Sequence, residues 1–301
     1  MRVHIIINDR AGTVVGTEPD AFAERTAVAF AAAGHTVSAS VAKPAQLPRE
    51  LERVRDEEPD ALIVGGGDGT VRAAATALLG TRIALGVLPL GTINRLARDL
   101  QIPIDGQMAA ETLATGRVQA IDVAEVNGRL FLCNAILGPT TRVSAVRQQL
   151  RGKPLGERIR GYLGAAKDLL RARHRIGVRI DDGIGTLDLR VLSLVVTNNT
   201  YADEPTLTMR RPNLDDGVLG VYASQHTTGW GMVVGVLRAL FGLLATDRDV
   251  IQIAAPSVVV GVPAQASISL SIDGELERLP TPLVFSLRPK ALNVLVPAGV
   301  D

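Results

Sequence analysis

The sequence holds a single cysteine, Cys133. No disulfide can close within the chain, and no cysteine-based zinc site can form. Such sparing use of thiols fits a reducing compartment, so the expected location is cytoplasmic. Aromatic residues make up only 3% of the chain. The core must therefore be aliphatic, and a base-stacking platform is not expected. Charge of one sign is also missing: 32 Lys and Arg face 31 Asp and Glu, a formal net charge of +1. That balance argues against nucleic acid as a partner. The four histidines, His4, His35, His174 and His226, form no ligand pattern. Long hydrophobic runs are absent too. The N-terminal run around Ile5-Ile6-Ile7 is too short for a signal-peptide core. The stretch from Gly229 to Ala245 is short of a membrane span and is broken by Arg238. No transmembrane helix is expected.

What is present is a globular composition, 47% hydrophobic over 301 residues, enough for two ordinary domains. The first third alternates strand and helix signals. Val3–Ile7, Thr36–Val41, Ala61–Val64 and Ile83–Leu88 read as strands; Asp20–Ala33, Leu47–Asp56, Thr70–Leu79 and Thr92–Leu100 read as helices. This order implies an α/β domain with a parallel sheet covered on both faces. From about Asp122 strands dominate: Val123–Val126, Leu130–Asn134, Ile176–Ile180, Leu187–Val196, Val218–Tyr222, Ile251–Ala254, Ser257–Val260, Ser267–Ile272 and Leu283–Leu287. Helical patterns interrupt them near Glu157–Arg173 and Thr227–Leu244. The expected fold class is thus α/β plus β: an N-terminal parallel-sheet α/β domain and a mostly antiparallel β-sandwich with helical insertions. The expected boundaries are residues 1–121, completed by a last strand within 290–301, and residues 122–289.

Val64-Gly65-Gly66-Gly67-Asp68-Gly69-Thr70 lies between a buried strand and a helix. Glycines let backbone approach a ligand closely, and helix-start N–H groups favour phosphate oxygens. Asp68 beside them would repel bare phosphate, so it orients the loop, holds a metal or bonds a sugar or water. A plain turn with Asp68 capping the helix is the alternative. No Lys follows these glycines, so this is not a Walker loop, and GxGxxG does not fit. A second loop, Pro89-Leu90-Gly91-Thr92-Ile93-Asn94, also joins a strand to a helix. In a parallel sheet both loops fall at the carboxyl ends of strands, where ligands bind. Thr92 is placed to cap the helix and Asn94 to reach a phosphate or hydroxyl. Two acidic turns complete the set: Asn213-Leu214-Asp215-Asp216-Gly217-Val218, with oxygens suited to Mg²⁺, and Asp273-Gly274-Glu275. Each also reads as an ordinary solvated turn.

Together these motifs resemble the diacylglycerol kinase-like lipid kinase family, which includes bacterial diacylglycerol kinases and sphingosine and ceramide kinases. GGDGT stands at Gly66 to Thr70, PLGTxN at Pro89 to Asn94, DDGxL at Asp215 to Leu219 and DGE at Asp273 to Glu275. They occur in family order across nearly the whole chain. The resemblance implies an ATP-dependent kinase that phosphorylates the hydroxyl of a lipid such as diacylglycerol, with catalysis in a cleft between the domains. It implies that Gly65, Gly66, Gly67, Asp68, Gly69 and Thr70 bind ATP phosphates, joined by Asn8, Gly91, Thr92 and Asn94. It implies that Glu275 is the base for the lipid hydroxyl, supported by Asp273 and Asp68. It implies a structural Mg²⁺ held by Asp216 and the main chain of Asn213 and Val218, and a second Mg²⁺ with ATP. Two positions depart from the family pattern: Asp9 replaces the proline of NPxxG, and Arg95 replaces the Asp that often follows GTxN.

A lipid kinase must reach a bilayer. Arg142, Arg147, Arg151, Lys153, Arg158, Arg160, Lys167, Arg171, Arg173 and Arg175 crowd one region and alternate with apolar residues around Ile159–Leu170. A basic amphipathic helix there would bind an anionic surface peripherally, at the inner membrane face; a solvated helix packed on the sandwich is the other reading. Trp230–Leu244 reads as a core helix or a homodimer contact. Two further functions stay open. NAD kinases share GGDGT, and a non-catalytic lipid- or nucleotide-binding relative would keep the fold while tolerating Asp9 and Arg95.

Overall fold

The computed structural model describes residues 1–12, 18–139, 141, 156–157, 160–161, 164, 167, 175–202, 211–240, 247–263 and 265–299. The chain divides into two compact units, Met1–Asp122 with Pro289–Asp301, and Val123–Arg288. Most of the expected basic helix lies outside the described residues; Glu157, Arg160, Gly161, Gly164 and Lys167 are helical.

In the first unit, β1 (Arg2–Asn8), β2 (Thr36–Ala42), β3 (Ala61–Gly66) and β4 (Ala84–Pro89) form a parallel sheet in the order β2-β1-β3-β4. β3 and β4 are buried at every position. Their apolar runs do not alternate because helices cover both faces. The connecting helices are α1 (Pro19–Ala32), α2 (Leu47–Asp56), α3 (Asp68–Leu78), α4 (Arg95–Asp99) and α5 (Gly106–Ala114). On α2, Leu47, Leu51 and Val54 recur at i, i+4 and i+7 and are buried. On its exposed side Arg53 pairs with Glu50 and Glu57, contacts that contribute little in water.

Because β1 lies between β2 and β3, the winding of the chain reverses at the β1–β3 seam. Ligands bind at the strand carboxyl ends beside such a reversal. The residues that leave β1 and β3 at that end are Asn8 and Gly67.

The second unit contains a six-stranded antiparallel sheet, order β12-β11-β10-β7-β14-β15. Its strands are β7 (Asn134–Leu137), β10 (Ser193–Asn198), β11 (Leu219–Ser224), β12 (Val250–Ala255), β14 (Ser267–Ile272) and β15 (Glu275–Pro280). β8 (Ile176–Asp181), β9 (Thr186–Val191), β13 (Ser257–Gly261) and the first half of β16 (Leu283–Val296) pair antiparallel with one another outside that six-stranded sheet. Val178, Ile180, Val258, Val260 and Phe285 from these strands share one buried cluster with Val196, Val221, Leu270 and Ile272 from the six-stranded sheet. That shared apolar layer makes the unit a β-sandwich. Helix α6 (Gly229–Leu240) lies between β11 and β12.

The element assignments differ from expectation in several places. α4 is a single turn because Asn94 adopts a left-handed conformation (φ 53°) and the helix starts only at Arg95. Leu187–Val196 is two strands, β9 and β10, broken at Leu192 and lying in different sheets. Leu130–Asn134 likewise divides into β6 (Arg129–Phe131) and β7. Leu283–Leu287 and Ala291–Val296 are one strand, β16, whose far end pairs Val294 with Leu85 of β4. Helix α5 and strand β15 were not expected. Val123–Val126 is the end of a longer strand, β5 (Arg117–Val126).

Candidate active site

The two glycine loops meet backbone to backbone. A Cβ on Gly91 would lie 2.5 Å from Gly67 Cα, and one on Gly66 would lie 2.5 Å from the Thr70 side chain. Neither position has room for a side chain. Leu90 N donates to Gly66 O at 3.1 Å, fastening the second loop to the first. Asp68 Oδ1 accepts the Arg95 backbone N–H at 2.7 Å. The acid therefore orients the neighbouring loop, and it is the first residue of its own helix, not the N-cap. The N-cap of α3 is Gly67, which has no side chain to cap with. A helix start without a side-chain cap leaves its first-turn donors available to an anion.

Asn8 closes the reversal seam: its Nδ2 donates to Thr70 Oγ1 at 2.8 Å, linking the end of β1 to the first turn of α3. Asn94 is buried, and its amide is spent within its own loop. Oδ1 accepts from Gly91 N at 2.8 Å, and Nδ2 donates to Pro89 O at 3.0 Å and Gly91 O at 2.9 Å. It shapes the PLGTxN turn from inside. Thr92 is exposed and does not cap α4. Asp9 stands beside Asn8; its N–H donates to Ala42 O at 3.1 Å, and its Oδ1 is buried without a hydrogen bond. Gly65, Gly66, Gly67, Asp68, Gly69, Thr70, Asn8, Gly91, Thr92 and Asn94 thus occupy adjoining loops of the first unit.

The acids of the second unit sit on the β14–β15 hairpin. Asp273 (φ 47°) and Gly274 (φ 86°) are its two turn residues, both left-handed, and Ile272 pairs with Glu275 across it. This is the geometry a two-residue hairpin demands. Asp273 is not a solvated turn acid. Oδ2 accepts from Leu132 N at 2.7 Å, and Oδ1 accepts from Cys133 N at 2.8 Å and Asn134 N at 3.0 Å. Three main-chain donors from the β6–β7 connection hold this carboxylate. Glu275 follows as the first residue of β15, partly exposed.

Arg211 was invisible to motif reading. It is fully buried, and its Nη1 donates to Leu132 O at 2.6 Å and Asn198 O at 2.8 Å. The Leu132–Asn134 connection therefore gives its N–H groups to a carboxylate and a carbonyl to a guanidinium. A buried charge is tolerated only with such partners. No local spacing could reveal bonds that span 79 or 141 residues.

Asn213, Asp216 and Val218 lie on the turn before β11. Asn213 Nδ2 donates to Asp216 Oδ1 at 3.0 Å, and Val218 O accepts from Asn199 N at 3.1 Å. The remaining lone pairs are all on oxygen, which is the donor chemistry Mg²⁺ takes.

Among the described residues no helix is long and apolar enough to cross a membrane. Residues 2–126 match the diacylglycerol kinase catalytic domain. A protein of Pseudomonas aeruginosa named "Probable lipid kinase YegS-like" is 33% identical over 286 residues, 89% of this chain and 92% of that protein. A diacylglycerol kinase of Staphylococcus epidermidis is 30% identical over 226 residues, 72% of this chain and 68% of that one. A solved diacylglycerol kinase from Bacillus anthracis superposes with a TM-score of 0.73 at 20% identity, covering 100% of this chain and 98% of that one. Another solved chain from the same organism reaches a TM-score of 0.80 at 22% identity with the same coverage.

Proposed function

Because the chain belongs to the diacylglycerol kinase catalytic-domain family, we propose that this lipid kinase transfers the γ-phosphate of ATP to the hydroxyl of diacylglycerol. The observation that carries the reading is the pair of interlocked glycine loops at the carboxyl ends of β3 and β4, beside the β1–β3 reversal. Phosphoryl transfer asks for positioning, charge neutralisation and a base. The residues divide these tasks. Gly65 to Thr70 present main chain to the phosphates at the start of α3. Asn8 and Asp68 are positioning residues that hold α3 and the second loop together, and Thr92 offers an exposed hydroxyl. Asn94 fixes the turn around Gly91.

Glu275 is the base for the lipid hydroxyl. Asp273, bound through both oxygens, fixes the hairpin that carries Glu275. Asp216, with main-chain oxygens of Asn213 and Val218, would hold a structural Mg²⁺, and a second Mg²⁺ would accompany ATP. Bound to the phosphates, that ion supplies charge neutralisation; the protein supplies orientation and the proton acceptor.

Access to a bilayer fits two apolar side chains left in water on the second unit. Trp230 on α6 is 65% exposed, and Ile184 between β8 and β9 is 95% exposed. An exposed Trp is suited to a membrane interface. The protein would act at the inner membrane face by peripheral contact with anionic lipid, as a monomer or a homodimer.

The test is transfer of γ-labelled phosphate to diacylglycerol, a sphingoid base and phosphatidylglycerol in mixed micelles, with NAD assayed in parallel. Label in diacylglycerol above the other acceptors is expected. Label in NADP alone would replace the lipid reading with the NAD kinase one. ATP binding with no transfer to any acceptor would favour a non-catalytic relative.

A further inference from the structure

Outside both clusters, one histidine and two aspartates converge at the base of α6. His226 follows β11 by two residues, and Asp247 and Asp249 immediately precede β12. His226 Nε2 lies 3.6 Å from Asp247 Oδ2 and 3.8 Å from Asp249 Oδ2. All three ligand-capable atoms fall within 4.8 Å of one another. None of the motifs discussed above includes these residues.

Three features show a prepared arrangement. First, His226 is buried and its ring is oriented from behind, with Nδ1 2.8 Å from Ser224 Oγ. In the tautomer that donates Nδ1–H to Ser224, Nε2 keeps its lone pair and faces the carboxylates. Metal-binding imidazoles are held in this way by a partner on the other nitrogen. Second, Asp247 is 3% exposed and its two oxygens are treated differently. Oδ1 accepts the Asp249 N–H at 3.1 Å and lies 3.7 Å from Arg238 Nη1. Oδ2 is buried, accepts no hydrogen bond and points at His226. An ionised oxygen left so is costly unless a cation or proton meets it. Third, α6 makes room for the ring with glycine. A Cβ on Gly235 would lie 2.8 Å from His226 Cε1, and one on Gly231 would lie 2.9 Å from His226 Cδ2.

We propose that His226, Asp247 and Asp249 bind one divalent transition-metal ion of the Zn²⁺ type, through one imidazole nitrogen and two carboxylate oxygens. Zn–N and Zn–O bonds of about 2.1 Å place tetrahedral ligands roughly 3.4 Å apart. The observed 3.6 and 3.8 Å need a contraction of only a few tenths of an ångström, and the two carboxylate oxygens, within 4.8 Å of each other, close by rotation of the exposed Asp249 side chain. Asp249 is exposed and gives the ion a way in, and the fourth position is left to water. A nitrogen ligand separates this site from the all-oxygen turn at Asp216, which suits Mg²⁺. The ion would join the exit of β11 to the entry of β12, the two strands that flank α6 in the chain. This assignment does not depend on the kinase reading. The competing arrangement is a protonated His226 paired with Asp247, which binds no metal.

The experiment is titration of the chelator-stripped full chain with Zn²⁺ against a competing indicator, in excess Mg²⁺, together with thermal unfolding and the visible absorption of a Co²⁺-loaded sample. Wild type, Asp249→Asn and His226→Gln are compared. One equivalent per chain is expected, with a rise in Tm and tetrahedral Co²⁺ absorption. Binding should weaken at least about tenfold in each variant. Asp249 is a surface residue, so D249N keeps the comparison valid if H226Q fails to fold. Absence of stoichiometric binding by wild type, or affinity in D249N equal to wild type, would overturn the three-ligand site.

Discussion

Asp68 Oδ1 accepts the backbone N–H of Arg95 at 2.7 Å. This bond ties the first glycine loop to the second and gives the acid of GGDGT a mechanical role beside any electrostatic one. The two roles separate by substitution. Asp68→Asn keeps an acceptor for Arg95 and removes the charge. Its unfolding free energy should stay within about 0.5 kcal/mol of wild type, while phosphate transfer falls at least about tenfold, roughly 1.4 kcal/mol of barrier. Asp68→Ala removes the acceptor as well and should lose about 1–2 kcal/mol of stability. Urea unfolding and a kinase assay on both variants check this. Full activity in D68N would remove the charge from the account.

The contact between Gly91 and Gly67 predicts a binding defect with little loss of fold. A Cβ at Gly91 must push against Gly67 Cα from 2.5 Å, so Gly91→Ala displaces the backbone proposed to face the phosphates. ATP affinity should fall at least about tenfold, or 1.4 kcal/mol. Gly177, in β8, has nothing within 4 Å of its Cβ position, and Gly177→Ala should bind ATP as wild type does. Equal affinities for G91A and wild type in calorimetry would contradict the interlocked-loop reading.

Asp273 is expected to act on stability. Replacing it by Asn offers one acceptor oxygen where two serve three N–H donors. A lost charge-assisted bond costs about 1.5–3 kcal/mol, and Asp273→Asn should lower the unfolding free energy by about that amount. A wild-type urea midpoint would show that the clamp contributes nothing to the fold.

The pH dependence of stability should carry a mark from His4. This residue is buried in β1, with Nδ1 2.7 Å from Ser38 Oγ. Burial lowers its pKa below the ordinary histidine value, with the nearby Arg53 charge adding to the effect. The unfolded chain therefore takes up the proton first as pH falls. The contribution is complete above about pH 6.5 and is lost as pH falls toward and through the folded pKa. The urea midpoint should drop more in wild type than in His4→Gln between roughly pH 7.5 and 5.5. Parallel drops would show that this histidine does not govern the acid side.

Much of the first unit was legible because its strands and helices alternate cleanly and each glycine loop follows a buried strand. The ordering of loops at the carboxyl ends followed from parallel topology alone. The missed features are those that depend on remote partners. Helix periodicity ran through Thr92 to Arg95, but Asn94 turns left-handed to bond its own loop. An apolar run hid the break at Leu192 between β9 and β10. Asp273 looked like any turn acid until its donors, 139 to 141 residues away, came into view. His226 matched no ligand spacing, since Asp247 and Asp249 reach it only after the α6 excursion.

The central claim is that Glu275 serves as the base in phosphate transfer to a lipid hydroxyl. Its most direct test is transfer of γ-labelled phosphate to diacylglycerol by wild type and Glu275→Gln at saturating ATP and Mg²⁺, with ATP affinity measured on both. The account predicts labelled lipid from wild type, a rate lower by about 10²–10⁴ in the variant, and equal ATP affinity. Equal rates from the two proteins would contradict the assignment of the base, and no labelled lipid from a wild type that binds ATP would contradict the activity itself.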